Sequence, residues 1–167
     1  MKAVCVLTNN INKKIKGFIE FIENNNFMII NIHIQGLKPG YHAIHIHEYG
    51  DLREGCSSLC SHFNPYKTNH GSPLNNQNNR HIGDLGNIFA NKSGIVRETF
   101  TDKLIKLRGK SNIIGRSVVI HEDIDDLGLG GIDTNSGIIV NKKIHEESLK
   151  TGNAGKRIAC GVIGWAK

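Results

Sequence analysis

The stretch from Tyr41 to Asp84 reads YHAIHIHEYGDLREGCSSLCSHFNPYKTNHGSPLNNQNNRHIGD. It holds six of the nine histidines of the chain and ends in a carboxylate. His45 and His47 are separated by one residue, so the two-residue period of a strand places both imidazoles on one face. This pattern predicts a metal-binding strand that leads into a long functional loop.

Four further donors follow this pair, at loop-like spacing among Gly, Pro, Asn and Ser: His62, His70, His81 and Asp84. A chain of this composition can fold back so that distant side chains meet. Two histidines alone on a strand are more often exposed polar residues, but the additional donors favour ligands. Six donors exceed the four that one tetrahedral zinc ion takes, so the set suits two neighbouring ions.

His121 ends the apolar run SVVIH and adds a seventh donor. A histidine at a strand end is more often a structural residue, but here it makes two four-ligand sites possible if one imidazole is shared. Asp125 and Asp126 follow closely. Such a pair is usually a solvated turn, although a carboxylate there can also hold the second ring nitrogens of ligating histidines.

Short alternating or apolar runs, separated by turn residues, indicate the fold class. They predict eight strands, at residues 2–7, 15–23, 27–35, 41–48, 83–90, 94–100, 117–121 and 158–162. Two long loops, over 49–80 and 123–154, carry no convincing helix pattern. We therefore expect an all-β sandwich or flattened barrel, formed as a single domain over residues 1–167.

The charge balance of 21 basic and 15 acidic residues gives +6, which predicts attraction to anions. No Lys/Arg block is interleaved with aromatic residues, so nucleic acid is not an expected partner. No stretch approaches membrane-spanning length, and the opening MKAVCVLTNN lacks a run like that of a signal peptide. These features predict a soluble cytoplasmic protein without a membrane partner.

The four cysteines lie at positions 5, 56, 60 and 160. A bridge between Cys56 and Cys160 would tie the first long loop to the last strand. An intracellular compartment argues against disulfides, so the spacing leaves this bridge and four free thiols equally open.

The motifs HAIHIHEYGD, GCSSLCSHFNP, NHG, RHIGDLGN, GRSVVIHEDIDDLG and KTGNAGKRIACGVIGWA occur in this order. Together they make the chain resemble the intracellular copper/zinc superoxide dismutases over nearly its whole length. The resemblance implies an eight-stranded Greek-key barrel, a homodimer, copper and zinc as cofactors, and superoxide as the substrate. A copper chaperone is a candidate partner.

The resemblance also implies roles for individual residues. The copper ligands are His45, His47, His62 and His121, and the zinc ligands are His62, His70, His81 and Asp84. His62 is the shared imidazolate and carries a proton in the reaction, while Arg157 holds the anion beside copper. Asp125 links His45 to His70, and Cys56 forms a disulfide with Cys160.

Two other functions are compatible with parts of this pattern. One is a copper chaperone with a dismutase-like domain, and the other is a metal-storing sandwich without turnover. The chaperone usually carries an additional MxCxxC domain and has lost some catalytic ligands, and neither feature is seen in this sequence. The storage protein has no need for a bridging histidine with Arg157 beside it. Outside its motif, Arg157 would be interpreted as a solvated surface charge.

The chain departs from the family pattern in two loops and at its end. About a dozen extra residues lie between Gly131 and Glu146. Lys142 and Lys143 in this insertion either add to anion steering or belong to a solvated loop. Trp165 falls in the segment that relatives use for dimer contact, together with the regions of Tyr49 and Ile114.

Cys60 stands where relatives commonly have glycine. Its thiol could mispair with the other cysteines or bind copper transiently. The expected outcome is that it is simply buried, as free cysteines usually are.

Overall fold

The computed structural model describes residues 1–7, 9–10 and 14–167. Within these residues the strands are β1 (Lys2–Val6), β2 (Asn9–Asn10), β3 (Lys16–Glu23), β4 (Met28–Gln35), β5 (Gly40–His47), β6 (Asp84–Ala90), β7 (Ile95–Asp102), β8 (Ser117–His121) and β9 (Arg157–Trp165). The long loops contain a 3₁₀ helix (Ser57–Leu59) and one α-helix, α1 (Lys142–Thr151). The eight main strands confirm the all-β prediction.

The strands are antiparallel and lie in the order β6-β5-β8-β9-β1-β3-β4-β7, with the short β2 paired to β9. The β4–β7 and β5–β8 pairs join strands that are distant in the chain, which is the connectivity of a Greek key. The consecutive strands β6 and β7 occupy the two ends of this order. The sheet therefore curls into a nearly closed barrel, as the resemblance implied.

Strand β4 illustrates how the sequence alternation builds the barrel core. Its residues Met28, Ile30, Ile32 and Ile34 are buried, whereas His33 between them is exposed, as predicted. The buried side chains pack with those of the other strands into one hydrophobic cluster. This cluster fills the barrel and gives the loops above it a rigid base.

A buried arginine that the sequence pattern did not reveal organises the loop before β6. Arg80 Nη1 donates to Asp102 Oδ2 and to the Pro73 carbonyl, both at 2.7 Å, and Arg80 Nε donates to the His81 carbonyl at 3.0 Å. Because both charged groups are buried, each needs the other. The pair holds the backbone beside His81 in place.

The prediction that the second long loop lacks a helix was wrong, because α1 spans Lys142–Thr151. Its side chains are almost all polar, so no apolar stripe marks the helical period. Its end signals were present: Asn141 caps the first turn by accepting from Ile144 N at 3.1 Å, and Gly152 ends the helix with a left-handed backbone. Among the described residues, no helix is both long and apolar enough to cross a membrane.

Candidate metal centre

Strands β5 and β8 bring together the first group of histidines. His45 and His47 are buried on β5, and His121 is buried at the end of the neighbouring β8. His47 Nε2 lies 3.4 Å from His121 Nε2. The period of two therefore placed the histidine pair as predicted, and the strand pairing adds the third imidazole.

The loop after β5 returns to the same strand and delivers His62. A bridge pairs His62 with His47, and Phe63 N donates to the Ile46 carbonyl at 2.8 Å. Gly83 lies against this contact, where any Cβ would overlap the Ile46 carbonyl. Glycine is thus required at position 83 for the two chain segments to approach each other.

The second group converges on one oxygen of Asp84, the first residue of β6. Asp84 Oδ1 lies 2.9 Å from His62 Nδ1, 2.9 Å from His70 Nδ1 and 3.1 Å from His81 Nδ1. All four side chains are buried. Three nitrogens around one carboxylate oxygen form a compact donor set of the kind that holds zinc.

Two sets of donor atoms lie within 4.8 Å of one another in space: His45, His47, His62 and His121, and His45, His62, His70 and Asp84. His45 and His62 belong to both sets. His81 lies at the edge of the second set, with its Nδ1 3.4 Å from His62 Nδ1. The structure therefore brings together all seven donors that the sequence singled out.

Asp125 links the two groups from behind. Its Oδ2 accepts from His45 Nε2 at 2.9 Å, and its Oδ1 accepts from His70 Nε2 at 2.7 Å. A carboxylate only accepts hydrogen bonds, so both Nε2 atoms carry the proton and both Nδ1 atoms present a lone pair. These two Nδ1 atoms are buried without a hydrogen-bond partner, although His70 Nδ1 lies close to Asp84. Buried lone pairs of this kind fit a metal cation.

Burial keeps most of these histidines neutral. It lowers the pKa of His45 and His47 well below the usual imidazole value, with a further contribution from His62, and lowers the pKa of His121 to about 4. Burial acts on His70 in the same direction, but the carboxylates of Asp125 and Asp84 outweigh it and raise the pKa of His70 to about 9. Neutral imidazole is the form that binds metal. His70 must therefore lose a proton before its Nδ1 can bind a metal ion.

A cavity of about 410 Å³ opens above the first group. It is lined by His47, Ser61, His62, His121, Glu147, Lys150, Thr151, Asn153, Ala154, Gly155 and Arg157. A bulge between β8 and β9 pairs His121 with Arg157, and this irregularity places the guanidinium at the cavity wall. The cavity thus combines imidazoles with two cations that can attract a small anion.

Carbonyl groups of the first long loop hold Arg157 in position. Arg157 Nη1 donates to the Cys56 carbonyl at 2.7 Å, and Nη2 donates to the Cys60 carbonyl. The Cys56–Cys160 disulfide implied by the resemblance is present and ties this loop to β9. Sequence patterns identified Arg157 but could not identify these backbone acceptors.

The prediction that Cys60 is buried was wrong, because its side chain is exposed. Cys60 has φ 63 and ψ −149, a conformation that favours glycine. This backbone turns the Cys60 carbonyl towards His47 Nδ1, which donates to it at 3.0 Å, and towards Arg157. Because the carbonyl faces inward, the thiol points to solvent.

Gly152 connects α1 to the metal centre through the absence of a side chain. A Cβ at this position would overlap Asp125 Oδ1 and crowd His70 Nε2. Close by, the Asp126 carboxylate accepts from Ser148 Oγ and Asn153 Nδ2. The C-terminal half of the helix is therefore fixed against the residues that orient the histidines.

The barrel and the two adjoining sets of metal donors, which share histidines, define a metalloprotein with a two-metal centre. The family profile described as "Copper/zinc superoxide dismutase (SODC)" matches residues 15–163, and the chain belongs to this family. It is an enzyme that converts superoxide to oxygen and hydrogen peroxide, and its metals are copper and zinc.

Individual relatives agree with this assignment. "Superoxide dismutase [Cu-Zn]" of Paramecium bursaria Chlorella virus 1 is 53% identical over 154 residues, which cover 92% of this chain and 74% of the relative. "Extracellular superoxide dismutase [Cu-Zn]" of Drosophila melanogaster is 49% identical over 155 residues, covering 92% and 77%. The crystal structure of the clock protein EA4 superposes with a TM-score of 0.83 at 42% identity, covering 98% of this chain and 93% of that chain.

The position of Asp125 generates a testable prediction for metal affinity. In Asp125→Asn the amide can accept from only one of the two Nε2–H groups, so one histidine loses its orientation. We expect the affinity for zinc and copper to fall about 10- to 100-fold, measured by competition with a chromogenic chelator. Asp123→Asn, which alters an exposed carboxylate two positions earlier, is the matched control. Equal affinities in the two variants would contradict this role of Asp125.

Proposed function

We propose that copper is bound by His45, His47, His62 and His121, and zinc by His62, His70, His81 and Asp84, within a single domain. The observation that carries this assignment is that, of the two histidines in both donor sets, His45 has one ring nitrogen held by Asp125 and His62 does not. His62 Nδ1 faces Asp84 Oδ1 at 2.9 Å, so Nε2 is the ring nitrogen available to the copper set.

His81 is proposed as the fourth zinc ligand because of which histidine ring nitrogens remain available to a metal ion. His45 Nε2 is occupied by Asp125, so His45 has only Nδ1 left and can bind one ion. The position of His45 beside His47 on β5 supports copper as that ion. His81 Nδ1, which faces Asp84 and His62, then completes the zinc set.

Copper supplies the one-electron redox cycle when it is bound, and zinc has no redox chemistry and holds geometry. The residues of the chain supply charge, orientation and protons. Arg157 directs its guanidinium into the cavity wall, where it can hold an anion next to His121. His62, which opens onto the cavity, is placed to carry a proton at Nε2 for the peroxide product.

The decisive experiment measures superoxide decay by the metal-loaded protein and by the same protein stripped with a chelator. We expect rapid decay that depends on metal and falls with added salt. His62→Ala should lose most of this activity, because it removes both the shared ligand and the proton carrier, whereas the exposed His33→Ala should retain it. Full activity in His62→Ala with both metals bound would refute the assignment. Full metal occupancy without turnover would instead favour the chaperone or storage role.

The geometry of α1 favours Lys150 over the insertion lysines as the residue that attracts superoxide. Lys150 lines the cavity, whereas Lys142 and Lys143 begin the helix seven or eight residues earlier. At 1.5 Å per residue this separation is about 11 Å, which exceeds the Debye length of about 8 Å at physiological salt.

Charge neutralisation tests this difference. Lys150→Gln should lower the rate at low salt and flatten its salt dependence, because the cavity loses a cation. Lys142→Gln with Lys143→Gln should leave both unchanged. The reverse result, measured over a range of ionic strengths, would restore the steering role of the insertion.

We also propose a homodimer that uses the outer surface near β1 and β9. Trp165 on β9 pairs with Ala3 on β1, and the side chains of Trp165, Val6 and Tyr49 are about half exposed. Half-exposed aromatic and apolar side chains are enriched at protein interfaces. Cytoplasmic location and delivery of copper by a chaperone remain predictions, since extracellular enzymes are among the relatives.

A charge placed in this surface should separate the subunits. Trp165→Asp is expected to sediment as a monomer at concentrations where the unmodified chain is a dimer. Tyr41→Asp, which changes an equally exposed aromatic residue on β5, should leave the dimer intact. Identical sedimentation of both variants and the unmodified chain would exclude this interface.

A further inference from the structure

The insertion before α1 forms an ordered projection, residues 132–141. Asp133 N donates to the Ile138 carbonyl at 2.9 Å, and Gly137 N donates to the Asp133 carbonyl at 2.8 Å, which closes a turn. At its base, Val140 N and Asn141 N both donate to the Gly131 carbonyl. The projection is therefore held by its own hydrogen bonds and ends at the residue that caps α1.

The second half of this projection, residues 138–140, exposes apolar side chains. Ile138, Ile139 and Val140 are 63%, 50% and 70% exposed. Among the described residues this is the one run of consecutive large apolar side chains that are all at least half exposed. Ile144, in the first turn of α1, is 46% exposed and extends the apolar surface. Surface of this kind usually marks a contact with another body.

Positive charge lies directly beside this apolar segment. Lys142 and Lys143 follow it, and the Lys142 side chain is 84% exposed. Residues 134–145 contain no carboxylate. The flanking Asp133 carboxylate accepts from the amide and hydroxyl of Ser136, both at 2.8 Å.

Two glutamates follow in the next turn of the helix and face other partners. Glu147 lines the metal cavity, and Glu146 lies 3.8 Å from Lys142. Residues 138–143 therefore present apolar side chains and two lysines, of which Lys142 has the Glu146 carboxylate nearby.

We propose that this projection docks the enzyme on an anionic membrane surface. Ile138, Ile139 and Val140 enter the boundary between headgroups and acyl chains, and Lys142 and Lys143 bind lipid phosphates or carboxylates. This segment is exposed, so it can meet a lipid surface, and its hydrogen bonds already order it, so docking requires no folding. The composition alone predicted no membrane partner; the exposure of these residues revises that expectation.

Vesicle sedimentation with the metal-loaded full-length chain tests the proposal. We expect binding to vesicles of phosphatidylcholine with phosphatidylserine, weaker binding at high salt, and little binding to phosphatidylcholine alone. The triple variant Ile138→Ser, Ile139→Ser, Val140→Ser should bind at least about tenfold more weakly. Lys142→Gln with Lys143→Gln should also reduce binding, by about 30-fold, since each lysine near an anionic surface contributes about 1 kcal/mol.

Leu74→Ser is the matched control, because Leu74 is 93% exposed but lies alone in a different loop. Its vesicle binding should equal that of the unmodified chain. Unchanged superoxide decay in the triple variant would establish that the variant is folded. Absence of binding to anionic vesicles, or equal binding by the triple variant, would overturn the proposal. Self-association that the triple variant abolishes, without lipid binding, would instead indicate that residues 138–140 contact a second copy of the chain.

Discussion

The metal centre depends on the carboxylate of Asp125. By accepting from the Nε2–H groups of His45 and His70, it orients one imidazole of each donor group and leaves both Nδ1 lone pairs facing inward. The two carboxylate oxygens of Asp125 thereby hold two histidines that bind different ions in the proposed assignment. A displacement of one of these two histidines therefore shifts Asp125 and, through it, the other histidine.

The barrel and most of the site could be predicted because they follow short-range rules. The alternation along β4 placed Met28 inside and His33 outside, and the same period placed His45 and His47 on one face. Apolar strands and the spacing of the donor residues can be recognised in the sequence alone. The convergence of His70 and His81 on Asp84 was implied only by resemblance, because loop residues have no period from which a meeting point can be calculated.

What the sequence could not reveal depends on backbone atoms and on surface segments. Helix α1 buries little, so its polar residues carry no apolar stripe, and only the caps at Asn141 and Gly152 marked it. Cys60 was expected to follow the usual preference of a thiol for burial. The carbonyl of Cys60, which serves His47 and Arg157, instead decided its orientation. Every residue type has a backbone carbonyl, so the sequence does not show which carbonyls act as acceptors in the site.

The attachment of α1 explains where this chain can tolerate changes in length. The helix is fixed near Gly152 and Ser148, while its beginning faces solvent. Residues can be gained or lost between Gly131 and Asn141 without moving the cavity wall, whereas a single added methyl group at position 152 would disturb it. Insertions are therefore tolerated before α1 but not at its C-terminal end. New surface properties can arise before the helix while the rate of the enzyme is left untouched.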